Sequence, residues 1–448
     1  MLSKDEARAA AERLVEHAIR AGADAADALY VGSRSTDVQV RLGKLDHVDR
    51  SEGEEIGLRV FLGSRPATVA SSDMSKEALG ELVGRVLAMA AEAPEDPFAG
   101  FAPSELLAQP PLAELDSFDD VEPDPAELRT RALAGEKAAL GVDGVTNSSG
   151  ASASESIAVV ALATSQGFAG AYGATGRGCS VSVIAGEGAG KQRDSWSHSA
   201  RHLSDLDSPE SIGREAGRRA VARLNPVRPR SGQMPVVFDA RVAGSLLGHF
   251  AGAISGSSVA RKSSFLQDKL GERVFARGVS IVDDPFRPRG LRSRPFDGEG
   301  MRVERQDIVA DGILQTWMAD SASARQLGIA PTGHASRSVG SAPGISPTNF
   351  YLAAGKRSRE ELLAAFPEVL LVTELIGQGV NPVTGDYSRG AAGFLVRDGE
   401  IGPSVEEITI ASNLIDMFAT LEPGSDLEFR RGIDSPTILV PQMTVGTA

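Results

Sequence analysis

The 448-residue sequence contains a single cysteine, Cys179, which excludes a disulfide framework within the chain and a zinc site built from cysteines alone. It also lacks any apolar run near the roughly 18 residues that a membrane-spanning helix requires. Basic residues are in the minority, at 46 against 60 acidic, so the formal net charge is −14 and binding to nucleic acid or to an anionic membrane is disfavoured. The charged start of the sequence, from Met1 to Glu6, is unlike a secretory signal, so we expect a cytoplasmic protein.

The remaining composition is that of an ordinary globular protein, with 42% hydrophobic and 24% charged residues. Ser3 and Glu6 form an S-x-x-E capping box ahead of apolar residues at helical spacing, which predicts a first helix. Alternating apolar and polar residues over 27–72 predict a meander of short antiparallel strands. Further helices are expected near 75–93, 125–140 and 208–224.

A change of pattern near residue 225 divides the chain. Segment 225–232 contains two prolines and a glycine and has no periodicity, which is typical of a linker, so we predict two domains, 1–225 and 226–448. The second domain is mostly β, and its Asp-Gly pairs at 311–312 and 398–399 predict hairpins. The predicted fold class is α+β: helices packed on a meandering antiparallel sheet, then a mainly antiparallel β domain with a few helices.

Motifs of several common enzyme classes are incomplete. Segment 186–192 is rich in glycine, but a phosphate-binding loop needs a further glycine where Ala185 stands and a hydroxyl where Gln192 stands. His198 and His202 have the spacing that places two imidazoles on one face of a helix, but the residue after His198 is a serine rather than a glutamate base, so we expect a surface pair. The sequence also lacks the Gly-x-Ser-x-Gly elbow of serine hydrolases.

Three features remain as candidates for function. Segment 377–390 is glycine-rich and polar, which suits either a loop whose backbone approaches another chain closely or a turn-rich connection. The polar segment 332–338 leaves the same two alternatives open. His249 falls on the core-facing row of a predicted helix, so it is either a buried histidine satisfied by one hydrogen bond or a ligand contact.

At these residues the sequence resembles the PmbA/TldE branch of the TldD/PmbA family, whose members have been described as modulators of DNA gyrase. The resemblance extends over essentially the whole chain and is most specific at GHFAGAISGSSVARKSSFLQDKLGERVF (248–275), PFDGEGMRVERQDIVADGIL (295–314), VTELIGQG (372–379), GDYSRGAAGF (385–394) and ITIASNL (408–414). It implies a cytoplasmic zinc metallopeptidase built as a heterodimer of a TldD-type and a TldE-type subunit, acting on peptides.

The resemblance also implies that zinc belongs to the TldD-type partner, on a helix carrying His-Glu-x-x-x-His with a later cysteine. In this chain His249 falls near the first zinc histidine, but Phe250 and Ile254 stand where the glutamate and the second histidine should be, and no cysteine follows Cys179. One imidazole cannot replace a three-ligand site. We therefore expect no metal, no cofactor and no catalytic residue in this chain, and peptidase activity only with its partner.

The predicted role is one wall of a peptide-binding chamber, in which an extended peptide adds as a strand to a sheet edge. By resemblance to the family's strongest motif, the expected substrate-binding residues are Asn381, Asp386, Tyr387 and Arg389, with His249 as a further contact. A homodimer is expected in isolation. The alternatives are a non-catalytic homo-oligomer that binds peptides or serves assembly, and an independent hydrolase with an unrecognised site. Direct DNA binding is disfavoured, and the local basic patch around Arg292, with arginines at 287, 289 and 294, is expected to lie at the surface or an interface.

Overall fold

The first half of the chain folds around one six-stranded antiparallel sheet, which contains the predicted meander, but its first two strands are 17 and 19 residues long rather than short. The computed structural model describes residues 1–447. The strand order is β3-β2-β1-β4-β5-β6. The elements are α1 (Lys4–Arg20), β1 (Ala25–Arg41), β2 (Lys44–Leu62), β3 (Arg65–Ser71), α2 (Lys76–Glu92), α3 (Pro125–Leu140), β4 (Val145–Thr164), β5 (Ala169–Ala185), β6 (Gln192–Ala200) and α4 (Pro209–Ala222).

Side-chain caps fix where the helices of this half begin. The predicted capping box of α1 is present: the Ser3 side chain accepts from the backbone N–H of Glu6, and the Glu6 carboxylate accepts from that of Ser3. Ser75, Asp124 and Ser208 cap α2, α3 and α4 in the same way. Each cap satisfies a backbone donor that the first helical turn leaves free, so all four predicted helices are confirmed.

The two faces of this sheet have different partners. α1 and α2 cover one end of one face and α3 and α4 cover the other end, which forms two apolar cores. The opposite face packs on the second half of the chain through Leu29, Phe168 and Phe296. At this contact, buried Asp27 accepts from Arg59 at 2.8 Å and also pairs with Arg337 of the second half. The sheet is therefore buried on both faces where the second half packs on it, whereas residues 44–53 of β2 are exposed.

The second half is built around a ring of five strands. β7 pairs in parallel with β14 and antiparallel with β19, β15 lies between β14 and β16, and β16 pairs back onto β19. The elements are β7 (Gly232–Phe238), α5 (Ala240–Ala253), α6 (Gly256–Ala260), β8 (Ile281–Asp284), β9 (Gln306–Ala310), β10 (Ile313–Leu314), α7 (Ser321–Leu327), β11 (Ala335–Ser336), β12 (Gly344–Ile345), β13 (Asn349–Leu352), α8 (Arg359–Leu363), β14 (Glu368–Ile376), β15 (Asp386–Arg397), β16 (Glu400–Asn413), α9 (Leu414–Thr420), β17 (Glu422–Pro423), β18 (Ile433–Asp434) and β19 (Ile438–Thr447). The predicted boundary at 225/226 falls between α4 and β7.

Helix α5 packs its apolar side against this ring. Leu246, Leu247 and Phe250 are buried among strand residues of β7, β14, β15, β16 and β19. Strands β9 and β10, and β15 and β16, form the two predicted hairpins, whose Asp-Gly turns have positive φ at both residues. Among residues 1–447, none of the helices combines the length and the apolar composition that crossing a bilayer requires.

The segment that contains His198 and His202 is not helical, so that interpretation of their spacing is wrong. Residues 192–200 pair with β5 as strand β6, and His198 lies opposite Cys179. His198 Nδ1 accepts from the backbone N–H of Asp207 at 3.0 Å. The spacing was misleading because β6 alternates with a period of two: residues 193, 195, 197 and 199 face solvent, whereas His198 lies on the less exposed side with Trp196.

Candidate functional site

Helix α5 and strand β15 bring three of the predicted site residues together. α5 starts after Asp239, whose Oδ1 accepts from the backbone N–H of Arg241 at 3.1 Å, and it carries His249 on its third turn. On β15, Tyr387 and Arg389 are two residues apart, so both lie on the same face of the strand. The rings of His249 and Tyr387 meet edge to face, with centroids 6.1 Å apart. We call His249, Tyr387 and Arg389 the polar cluster.

Each member of the polar cluster has a buried polar atom without a hydrogen-bond partner among residues 1–447. These atoms are Nε2 of His249, Oη of Tyr387 and Nε of Arg389. A buried polar group left unpaired costs about 1–3 kcal/mol, and folded proteins avoid that cost at most positions. Three such atoms on two adjacent elements are available to a ligand that reaches them.

The electrostatics of the polar cluster fix its protonation. Burial, together with the positive charge of Arg389, lowers the pKa of His249 below its usual value, so the imidazole is neutral at pH 7. Burial raises the pKa of Tyr387 to about 12, so the phenol keeps its proton. The polar cluster therefore offers a neutral imidazole nitrogen, a phenolic O–H and a guanidinium. Such a set can donate to peptide carbonyls and carboxylates and accept from an N–H.

The residues around His249 do not fit a zinc ion. Phe250 and Ile254 are fully buried in the apolar core, where Phe250 packs edge to face on Phe275 with centroids 4.9 Å apart. The nearest charged neighbour that acts on the imidazole is the cation Arg389, which would repel a metal. Within residues 1–447, no three His, Cys, Asp or Glu side chains are grouped so as to hold a metal.

Asn381 and Asp386 lie outside the polar cluster: Asn381 is in the exposed loop between β14 and β15, and Asp386 is the exposed first residue of β15. Asn381 Oδ1 accepts from the backbone N–H of Val383 at 3.0 Å, and Asp386 accepts from the Thr384 hydroxyl at 2.6 Å. Asn413 donates to Asp386 at 3.2 Å. Both predicted residues thus shape the loop by hydrogen bonds to their neighbours.

The glycines of this loop make a close contact within the chain itself. A Cβ added at Gly379 would lie 1.7 Å from the carbonyl oxygen of Ser388, on the adjacent strand β15. The backbone N–H of Ser388 donates to the Gly379 carbonyl at 2.7 Å. The loop is therefore packed tightly against the first residues of β15.

The second polar segment, 332–338, serves the contact between the two halves. His334 lies 3.4 Å from Asp283 and 2.8 Å from the Thr332 hydroxyl, and it is buried. Arg337 is buried against Asp27 of β1. The sequence analysis missed this buried pair because a polar, glycine-containing stretch looks like an exposed turn, and the carboxylate that neutralises Arg337 is about 300 residues away.

A short stretch of strand beside the polar cluster lacks a neighbour on one side. β7 pairs with β14 only through Leu370, Leu371 and Val372 and then turns into α5. β14 continues through 373–376, which pairs with β15 on one side but with no strand of residues 1–447 on the other. We call 373–376 the open edge. Ile376 at its end is 57% exposed.

A cavity adjoins both the open edge and the polar cluster. Its volume is about 690 Å³, and its lining includes Leu375 of the open edge, Arg389 of the polar cluster and Ser245, one turn before His249 on α5. The sequence analysis could not find the open edge, because the position where β7 stops alongside β14 is a property of long-range pairing. Leu375 and Arg389 make the open edge, the polar cluster and the cavity contiguous.

Comparison with known sequences gives matches along most of the chain. Residues 231–447 match the model of the PmbA/TldA metallopeptidase C-terminal domain, 118–224 that of the central domain and 26–90 that of domain 1. The chain is 39% identical over 424 residues to the Escherichia coli O157:H7 protein named metalloprotease PmbA, covering 94% of this chain and 92% of that protein.

Solved structures share the fold over its full length. A protein from Bacteroides thetaiotaomicron, described as a candidate modulator of DNA gyrase, superposes with a TM-score of 0.91 at 24% identity and covers 100% of both chains. TldE from Thermococcus kodakarensis superposes with a TM-score of 0.87 at 21% identity and covers 98% of this chain and 100% of that one. The α+β fold class is therefore confirmed.

Proposed function

The chain belongs to the PmbA/TldD metallopeptidase family, in its PmbA/TldE branch, and from this premise we propose that it is the subunit without zinc of a cytoplasmic TldD–TldE peptidase. It contributes a wall of the peptide-binding chamber and leaves hydrolysis to a TldD-type partner. The observation that carries the proposal is the surroundings of His249: buried Phe250 and Ile254 on its helix and Arg389 beside its ring.

In this proposal the chain binds and orients an extended peptide. The open edge offers main-chain donors and acceptors to one more strand, and this mode of binding tolerates many sequences. The polar cluster lies beside it, so Tyr387 Oη and Arg389 Nε donate to peptide oxygens while neutral His249 donates to or accepts from the peptide main chain. Bound zinc in the partner supplies the activated water.

The test is co-expression with the TldD-type subunit of the same organism and an assay of cleavage of unfolded peptides. We expect activity from the complex and none from this chain alone. Arg389→Ala should lower kcat/KM by about tenfold or more, because a hydrogen bond to a charged group contributes about 1.5–3 kcal/mol. Arg397→Ala is the matched control, since Arg397 is on the same strand but is exposed and pairs with Glu368 at 2.8 Å.

Three results would contradict the proposal. Chelator-sensitive cleavage by the chain alone, with one zinc ion bound per chain, would show that this chain carries the catalytic metal. Chelator-insensitive cleavage by the chain alone would favour an independent hydrolase. A complex that forms without peptidase activity, or no complex at all, would favour the non-catalytic homo-oligomer.

A further inference from the structure

The cavity beside the open edge is strongly basic, although the chain as a whole carries −14. It lies between the N-terminal half, which contributes residues of β6 and α4, and the second half, which contributes the start of α5 and the segment 426–437. Eight arginines and four carboxylates line it. Clefts lined by one sign of charge concentrate ligands of the opposite sign.

The carboxylates of this cavity are directed at the chain itself. Asp434 accepts from the backbone N–H groups of Arg430, Arg431 and Gly432, each at 2.9 Å. Asp426 accepts from the backbone N–H of Thr437 at 2.9 Å and from its hydroxyl at 2.7 Å. Asp426 and Asp434 therefore shape the lining, whereas the other two carboxylates, Asp239 and Glu428, pair with Arg359 and Arg430.

Three of the lining arginines have no carboxylate within ion-pair distance among residues 1–447. They are Arg292, Arg389 and Arg431. Arg292 is held by the Ser346 hydroxyl at 2.6 Å, and Arg431 by the carbonyl oxygen of Arg241 at 2.6 Å. Neutral partners position these guanidiniums without cancelling their charge. The guanidinium groups of Arg292, Arg389 and Arg431 thus line one cavity with their charge uncancelled.

We propose that this cavity binds carboxylate groups of the peptide, so that the chain prefers acidic peptides or a free peptide C-terminus. The inference rests on the proposed function, because it assumes that the bound ligand is a peptide. Leu375 and Arg389 join the cavity to the open edge and the polar cluster. An extended peptide on the open edge therefore brings a terminal or side-chain carboxylate within reach of the three arginines, whose planar donors match a carboxylate.

The test measures binding to the purified full chain by fluorescence anisotropy, with no cleavage involved. The probes are short labelled peptides of one sequence in four forms: with Glu or with Gln residues, and with a free or an amidated C-terminus. Arg431→Gln and Arg292→Gln are the site variants, and Arg129→Gln, which removes an exposed arginine of α3, is the charge-matched control. Thermal unfolding of each variant confirms folding; Arg431 is itself exposed, so its substitution should be tolerated.

We expect the acidic, free-terminus peptide to bind about tenfold or more tightly than the neutral, amidated one, and this preference to weaken with salt and in both site variants. A loss on amidation identifies the terminal carboxylate, and a loss on Glu-to-Gln replacement identifies side-chain carboxylates. Equal binding of all four forms, loss of preference in Arg129→Gln as large as in the site variants, or equally tight binding of a single-stranded oligonucleotide would overturn the inference. A charge preference that persists while co-expression gives no peptidase would refute only the proposed function.

Discussion

Replacing Tyr387 by phenylalanine removes one oxygen from the polar cluster and should not destabilise the chain. Tyr387 is 1% exposed, and its hydroxyl is buried without a hydrogen-bond partner in residues 1–447. The folded state therefore bears the desolvation cost of that hydroxyl, about 1–3 kcal/mol, without a compensating hydrogen bond. We expect the free energy of unfolding of Tyr387→Phe to stay the same or to rise by about 1 kcal/mol.

Tyr30 provides the matched control. It is also fully buried, but its hydroxyl accepts from the backbone N–H of Leu2 at 3.0 Å and donates to the Glu54 carboxylate at 2.8 Å. Tyr30→Phe loses both bonds, one of them to a charged group, and should lower the free energy of unfolding by about 1.5–3 kcal/mol. The effects of the two identical substitutions on the free energy of unfolding should thus differ by at least about 1.5 kcal/mol.

Calorimetric unfolding and peptide cleavage by the co-expressed complex together test this reasoning. A difference of about 2 kcal/mol separates the melting temperatures of the two variants by several degrees. Tyr387→Phe should also reduce kcat/KM, because a substrate hydrogen bond is lost. If Tyr387→Phe destabilises the chain as much as Tyr30→Phe, the hydroxyl is satisfied within the fold and the polar cluster is structural. If stability and cleavage are both unchanged, the hydroxyl does not face the substrate.

Two further predictions concern the contact between the halves. A Cβ at Gly57 would lie 1.9 Å from the carbonyl oxygen of Val339, so Gly57→Ala should lower the free energy of unfolding by about 1–3 kcal/mol and with it the melting temperature. Gly53→Ala on the same strand is the control, because a Cβ there meets open space and should leave the melting temperature unchanged. Burial and the neighbouring charge of Glu299 raise the pKa of Asp297 to about 7, so its protonated form stabilises the fold at low pH and that contribution falls as pH rises from 3.8 to about 7. Asp297→Asn should flatten this part of the stability profile in denaturant titrations; an unchanged slope would show that other groups produce it.

Local features of the fold were predictable from the sequence because their causes lie within a few residues. The capping box at Ser3 and Glu6 pairs backbone N–H groups that the start of a helix leaves free, and the Asp-Gly pair at 398–399 adopts the positive φ angles of a tight turn. Both are present in the structure. Residues 386–390 are an exception: they were expected in a loop or a turn-rich connection, but they begin strand β15, whose period of two places Tyr387 and Arg389 on one face.

Features that depend on distant pairing were not predictable in this way. The ring of strands, the open edge and the basic cavity all follow from which strands and halves meet. Arg292 illustrates the difference: it was expected only at the surface or an interface, and it is the arrangement of the two halves that turns it toward a cavity with Arg389 and Arg431. The family resemblance suggested His249 and Tyr387 separately as substrate contacts, but the contact between their rings was not predicted.

The closed ring also sets the order in which the protein can be assembled. Its first strand pairs with its last, Phe238 opposite Ile438, so about two hundred residues must be synthesised before the ring can close. The N-terminal sheet is complete by Ala200 and can fold while translation continues. Because β15 is held in place by the closed ring, the positions of Tyr387 and Arg389 beside α5 are set only once synthesis has reached the final strand.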